Sequence, residues 1–255
     1  MKITIQNRHG LNIVLKYTQV DHAKGLAFLQ HGFGGFKEQS HILAMAETFH
    51  KNGISTVNFD ATHSFGESGG DLVHATITNH YHDLVDVVQW AMSQPWFQSP
   101  FYLAGHSLGG ATTLNYALNH PQHVKGVVPT SAVVSGKLWK ETKSESYLKN
   151  WQEKGFYEKK SSSKPGVKGH ASWGLMEDAQ RYDLSVGIEN LRMPALFVVG
   201  GEDVTTTPAH QKLLYGKWGG EKMYHEIQGC GHTFRSPEEL AELRAVLDQW
   251  LYKVN

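Results

Sequence analysis

Residues 105–109 read Gly105-His106-Ser107-Leu108-Gly109; the apolar run Phe101-Tyr102-Leu103-Ala104 precedes them and a helical pattern follows. A serine hydroxyl in a relaxed loop is a poor nucleophile, but at the tip of a sharp strand-to-helix turn its oxygen projects from the sheet edge toward a base. Gly105 and Gly109 permit such a turn, and Gly109 and Gly110 let the following helix lie close to neighbouring strands. Ser107 is therefore the candidate nucleophile of an acyl transfer. That chemistry needs a base to take the serine proton and return it to the leaving group, and an imidazole titrating near neutrality suits the task. Of sixteen histidines, His232 is singled out because it follows Gly229-Cys230-Gly231 and lies between the last apolar run and the last helical stretch.

The surrounding elements must hold these groups in place. Residues 2–6 and 11–18, around Asn7-Arg8-His9-Gly10, read as a β-hairpin at a sheet edge. Short apolar runs recur at 26–30, 54–59, 101–104, 124–129, 195–199 and 223–227, as expected for strands of a mostly parallel sheet buried on both faces. In residues 80–93, Leu84, Val85, Val87, Val88, Ala91 and Met92 form a wide apolar stripe, and Pro95 stops the helix. The last helix has Ser236 as N-cap, Pro237 at its first position and Glu239 completing a capping box; Leu240, Leu243, Val246, Leu247, Trp250 and Leu251 then share one face. This alternation predicts an α/β fold, a mostly parallel central sheet with helices on both faces.

Between about residues 133 and 191 the alternation stops. The stretch holds Trp139, Trp151, Phe156 and Trp173 and the polar run Lys159-Lys160-Ser161-Ser162-Ser163-Lys164-Pro165-Gly166. It falls between two candidate core strands, and so reads as a lid or cap insertion within a single domain spanning 1–255. From residue 137 to 168 it carries nine lysines against four glutamates in a chain whose 24 basic and 24 acidic residues otherwise balance. That balance gives no global field for a nucleic-acid partner. The lysines form either a solvated face or a means of attracting an anionic acyl donor, with Trp139, Trp151 or Trp173 lining an apolar acyl or aryl pocket. No stretch approaches the roughly 18 apolar residues of a membrane span, the amino terminus lacks the apolar segment of a secretory signal, and the one cysteine permits no internal disulfide. A cytoplasmic location is expected, although a secreted chain stripped of its leader looks the same.

Four motifs in chain order resemble the α/β-hydrolase superfamily: His31-Gly32-Phe33-Gly34-Gly35, the Ser107 turn, Gly200-Gly201-Glu202-Asp203, and Gly231-His232. The resemblance runs from about residue 26 to the last helix and leaves the insertion largely uncovered. Within the superfamily the sequence looks most similar to small serine esterases of the cinnamoyl or feruloyl type. The resemblance implies a Ser-Asp-His order, with Asp203 orienting His232 and Glu202 its competitor by adjacency. It also implies an oxyanion hole made by the backbone amides of Phe33 and Leu108. After residues 57–60 many relatives have Arg-Gly-x-Gly, whereas this chain has Ala61-Thr62-His63-Ser64-Phe65-Gly66-Glu67-Ser68, so a structural ion-pair candidate is lost.

The expected activity is hydrolysis of a small-molecule carboxylic ester or thioester through an acyl-enzyme, with no cofactor. An amide, a lactone or a carbon-carbon bond is an alternative substrate for the same residues, and a non-catalytic binding protein is a reading of another class. His63 and Asp60 lack a clustered third ligand, so no metal is expected. Cys230 reads as a small buried hydrophobe. Neither the acyl and alcohol groups nor the oligomeric state can be read from these residues.

Overall fold

The computed structural model describes residues 1–254. In chain order the elements are β1 (Lys2–Gln6), β2 (Asn12–Thr18), β3 (Gly25–Gln30), α1 (Ser40–Lys51), β4 (Ile54–Phe59), α2 (Ile77–Met92), β5 (Phe101–His106), α3 (Leu108–Asn119) and β6 (Val124–Thr130). They continue with α4 (Gly136–Glu141), α5 (Glu145–Lys154), β7 (Phe156–Lys160), β8 (Lys168–Ser172), α6 (Gly174–Ala179), β9 (Ala195–Gly200), α7 (Pro208–Lys217), β10 (Lys222–Ile227) and α8 (Pro237–Val254). Eight strands form one sheet in the order β1-β2-β4-β3-β5-β6-β9-β10. The amino-terminal hairpin pairs antiparallel with itself and with β4, and every later pairing in the sheet is parallel.

Each of the six apolar runs is a strand of this sheet, and β3, β4, β5 and β9 are buried along their whole length. Because side chains alternate across a strand, each run feeds two cores. Leu26 and Phe28 of β3, Leu103 of β5 and Phe197 of β9 pack on one face with α2 and α3. Ala27, Leu29, Tyr102, Ala104 and Val198 pack on the other with α1 and α8. Helix α2 begins at Ile77, three residues before the predicted stretch 80–93, where Thr76 accepts from the Asn79 amide as N-cap. The capping box of α8 forms as its sequence predicts: Ser236 Oγ accepts from the Glu239 amide at 3.1 Å, and Glu239 Oε2 accepts from the Ser236 amide at 2.9 Å.

The stretch without alternation is ordered into α4, α5, the antiparallel hairpin β7-β8 and α6. The polar run forms the end of β7 and the turn into β8. Its ends are fastened together: Leu184 donates to the Val134 carbonyl at 2.8 Å, Gly136 donates to the Tyr182 carbonyl at 3.1 Å, and Ser135 bridges Asp183. Its apolar side chains, among them Trp151, Ala171 and Leu175, belong to the same core cluster as α2 and α3.

The turn after β4 lacks the arginine of the Arg-Gly-x-Gly pattern, and Asp60, which opens the turn, pairs with a buried lysine. Lys37, 3% exposed, donates from Nζ to Asp60 Oδ2 at 2.8 Å and from its amide to Asp60 Oδ1 at 2.6 Å. It also reaches Glu67 Oε2 at 2.5 Å.

Candidate active site

In parallel sheets of this kind ligands bind beyond the carboxyl ends of the strands. Here four connections meet there: residues 31–35 after β3, Ser107 after β5, Asp203 after β9 and His232 after β10. Ser107 holds φ 54° and ψ −114°, a left-sided backbone that a non-glycine residue adopts only when its surroundings impose it. The surroundings are explicit. Its amide donates to the Thr130 carbonyl at 2.9 Å, and its carbonyl accepts from Ala111 at 3.1 Å and Val133 at 3.1 Å. Close approach demands glycine at 109, where a β-carbon would run into the Gln30 and His31 carbonyls.

The hydroxyl so presented meets an imidazole. Ser107 Oγ lies 2.9 Å from His232 Nε2, and His232 Nδ1 lies 2.8 Å from Asp203 Oδ2. Asp203, 2% exposed, also accepts at Oδ1 from the amides of Thr205 at 2.8 Å and Thr206 at 2.9 Å. Burial alone would raise its pKa, but the His232 hydrogen bond and charge and these two amides hold it well below the usual carboxylate range. Glu202, the neighbour in sequence, makes no side-chain bond to His232; its amide donates to the Cys230 carbonyl.

Two further histidines fix this geometry. His106 Nε2 lies 2.7 Å from the His232 carbonyl oxygen. Burial, reinforced by the His232 charge, lowers its pKa to about 3, so the neutral ring gives its Nε2 proton to that carbonyl. His31 is fully buried and accepts at Nε2 from the Ala61 amide at 3.0 Å. Its proton therefore sits on Nδ1, 2.7 Å from the Gly32 carbonyl, which also accepts from Gly35 at 3.0 Å. A trans peptide is planar, so pinning the Gly32 carbonyl points the Phe33 N–H the opposite way.

Among the described residues neither the Phe33 amide nor the Leu108 amide has a protein acceptor. Leu108 is the first residue of α3, where backbone N–H groups are left open, and the Ser107 amide is already committed to Thr130. Phe33, Ser107, Leu108 and His232 all line one cavity of about 290 Å³. The other walls include Gln39, Val133, Trp139, Lys143, Tyr147, Tyr157, Lys159 and Ser162.

The three tryptophans divide. Trp139 lines the cavity. Trp151 does not: it is 2% exposed, donates from Nε1 to the Ala171 carbonyl at 3.0 Å and sits edge-on to Tyr157 and Trp173. Trp173 packs against Trp151 and is likewise absent from the cavity wall. The aromatic surface facing the cavity comes instead from Phe33, Tyr147 and Tyr157 beside Trp139. Sequence reasoning also passed over Thr206, whose hydroxyl is 2.9 Å from Asp203 Oδ2 and 2.8 Å from the Ser131 carbonyl. Its place three residues after the candidate acid was the available signal. Among the described residues no cluster of His, Cys, Asp and Glu could hold a metal ion, and no helix is long and apolar enough to cross a membrane.

This strand order, with a serine on the turn after β5 and a histidine after β10, is the α/β-hydrolase fold. Residues 21–165 match the hydrolase family described as serine aminopeptidase, S33, and the chain belongs to it. No curated protein matches the sequence. Among solved structures the chain resembles Est1E from Butyrivibrio proteoclasticus with ferulic acid bound, at 19% identity, TM-score 0.82 and 98% coverage of both chains. It also resembles alpha/beta hydrolase domain-containing protein 10 from mouse, at 16% identity, TM-score 0.81 and 100% coverage of both chains. A monoacylglycerol lipase from Paleococcus ferrophilus matches at 20% identity and TM-score 0.75, with 95% of this chain and 99% of that one covered.

Proposed function

We propose that this protein is a serine hydrolase that cleaves carboxylic esters of small molecules through an acyl-enzyme. The observation that carries the reading is the unbroken chain from Asp203 Oδ2 to His232 Nδ1 at 2.8 Å and from His232 Nε2 to Ser107 Oγ at 2.9 Å, ending on a hydroxyl that opens into a cavity. In this reading His232 takes the Ser107 proton as Oγ attacks the ester carbonyl, and Asp203 stabilises the imidazolium that results. The Phe33 and Leu108 amides receive the oxyanion, each worth on the order of 3 to 4 kcal/mol of transition-state stabilisation. The intermediate collapses as His232 returns the proton to the leaving alcohol. Water, deprotonated by the same ring, then releases the acid.

The segment at about 133–191 is a lid within a single domain, since α4, the α4–α5 connection, α5, β7 and the turn after it supply Trp139, Lys143, Tyr147, Tyr157, Lys159 and Ser162 to the cavity. The family description points to peptides with a free amino group as another substrate. Two lysines facing the cavity repel an α-ammonium, which favours the ester. Aromatic walls suit an aryl or acyl chain, in keeping with a structural relative that binds ferulic acid.

Ser107→Ala tests the assignment. The variant is expected to lose hydrolysis of short p-nitrophenyl esters and labelling by a fluorophosphonate, while its circular dichroism and melting stay close to those of the parent. Full activity in that variant overturns the nucleophile.

A further inference from the structure

The lid is rich in lysines, and most of them are accounted for on the outer surface or against protein groups. Lys149 lies 3.8 Å from Glu153, Lys168 lies 2.7 Å from Glu158, and Lys164 donates to the Phe65 carbonyl at 2.8 Å while lying over the Phe36 ring. Lys143 and Lys159 differ from these, because both line the cavity that holds Ser107 and His232.

They approach it from two parts of the lid. Lys143 comes from the α4–α5 connection, with Nζ 3.1 Å from Thr142 Oγ1 and 6.0 Å from the centre of the Trp139 ring. Lys159 comes from β7 and extends over the loop carrying Phe33: its Cε would lie 3.8 Å from a β-carbon placed on Gly34. Among the described residues no carboxylate stands within ion-pair distance of either ammonium, and no Asp or Glu lines the cavity. Burial lowers the pKa of both; the more distant Asp203 carboxylate opposes this at Lys143, while Lys159 adds positive charge near Lys143 and Arg235 adds it near Lys159. Holding two partly desolvated cations on one cavity without an ion-pair partner is costly, and such an arrangement is relieved by an anion from outside.

We propose that the substrate is an ester bearing an ionised carboxylate, which Lys143 and Lys159 hold while Ser107 attacks the ester carbonyl. This rests on the serine-hydrolase reading above and names the substrate class of that same site. The remaining walls, Trp139, Tyr147, Tyr157 and Phe33, pack against the apolar spacer between carboxylate and ester. Such a substrate keeps its charge at the lid while the carbonyl reaches the amides of Phe33 and Leu108.

The test compares matched pairs of esters on the whole protein. One arm sets mono-p-nitrophenyl adipate against its neutral methyl ester, which places the carboxylate on the acyl side. The other sets p-acetoxybenzoate against methyl p-acetoxybenzoate, which places it on the leaving group. In at least one arm kcat/KM for the anion is expected to exceed that of its neutral partner by roughly tenfold or more, the scale of a charge-assisted hydrogen bond. The ratio should shrink as salt is added. Lys143→Gln and Lys159→Gln should each pull the ratio toward unity, and Lys159→Arg should retain most of it. A fluorophosphonate titration of each variant counts the folded sites, so that loss of fold is not read as loss of preference.

A ratio of one or less in both arms, or one that survives the double glutamine variant, overturns the proposal. If neutral esters are turned over and Ser107 is labelled while no anion preference exists, only this inference fails. If neither labelling nor turnover occurs, the hydrolase reading fails and this inference falls with it.

Discussion

In the proposed mechanism His31 governs the reaction from several bonds away. It touches no reacting atom, yet its Nδ1 proton holds the Gly32 carbonyl at 2.7 Å and so aims the Phe33 amide. His31→Ala is expected to lower kcat for a p-nitrophenyl ester by roughly tenfold or more while changing KM less, because a misdirected oxyanion donor is felt chiefly in the transition state. Equal losses in kcat for His31→Ala and for a cavity-forming change on the far face of the sheet would reduce His31 to a packing residue. At this scale the sequence was informative about identity and silent about partners. Ser107, His232 and Asp203 were legible because each falls at the end of an apolar run. The tautomer of His31, the bond from His106 to the His232 carbonyl and the supporting hydroxyl of Thr206 depend on which loops meet at one sheet edge. Trp151 and Trp173 show the same limit, since their aromatic character is legible but their packing against each other is not.

Among the elements, the loop from β3 to α1 and the turn after β4 depend on each other through Lys37 and Asp60. Both side chains are buried, and the Asp60 carboxylate also accepts from the Glu67 amide at 2.9 Å. Removing one member of a buried pair leaves the other uncompensated, so Lys37→Ala is expected to cost about 3–5 kcal/mol of stability, read from the midpoint of urea unfolding. A shift within a few tenths of a kcal/mol would show that Asp60 is held by its amide donors alone. The missing arginine was visible in the sequence, whereas the pairing of Asp60 with Lys37 was not, because 23 residues separate the two partners. Strands buried on both faces were located closely by their apolar runs. The elements between β6 and β9 were not: α4 and α6 have six residues each, α5 buries only Trp151, and β7 alternates exposed with half-buried residues. Short elements of that kind take their form from what they pack against rather than from their own pattern.

For the molecule as a whole, acid stability is set by histidines held neutral in the interior. His31, His41, His80 and His106 are fully buried, and burial lowers the pKa of each. As pH falls below about 6.5 the unfolded chain takes up protons at these positions and the folded chain does not, so stability falls with pH in that range. For His106, with its pKa near 3, the loss at about pH 5 is on the order of 2 kcal/mol. Asp203, whose pKa is depressed, adds a loss of the same sign at still lower pH, because its stabilising contribution needs the carboxylate ionised. Melting temperatures recorded between about pH 7.5 and about pH 5 should therefore decline steadily. A flat profile would mean that these rings reach solvent or find partners when protonated.

The segment between β6 and β9 has its ends fastened together. Because Val134 and Leu184 are joined by a 2.8 Å hydrogen bond, and Gly136 and Tyr182 by one of 3.1 Å, the segment between them begins and ends at one spot in the connection from β6 to β9. In its hydrogen bonding, the whole excursion is closed like a short connection. The interior of the segment is tied to the rest of the molecule by its packing, through Trp151, Ala171 and Leu175, on the core shared with α2 and α3. A chimera that swaps residues 136–182 for the equivalent stretch of a relative therefore replaces the cavity walls supplied by Trp139, Lys143, Tyr147, Tyr157, Lys159 and Ser162, while the strand ends that carry Ser107, Asp203 and His232 lie outside the exchange.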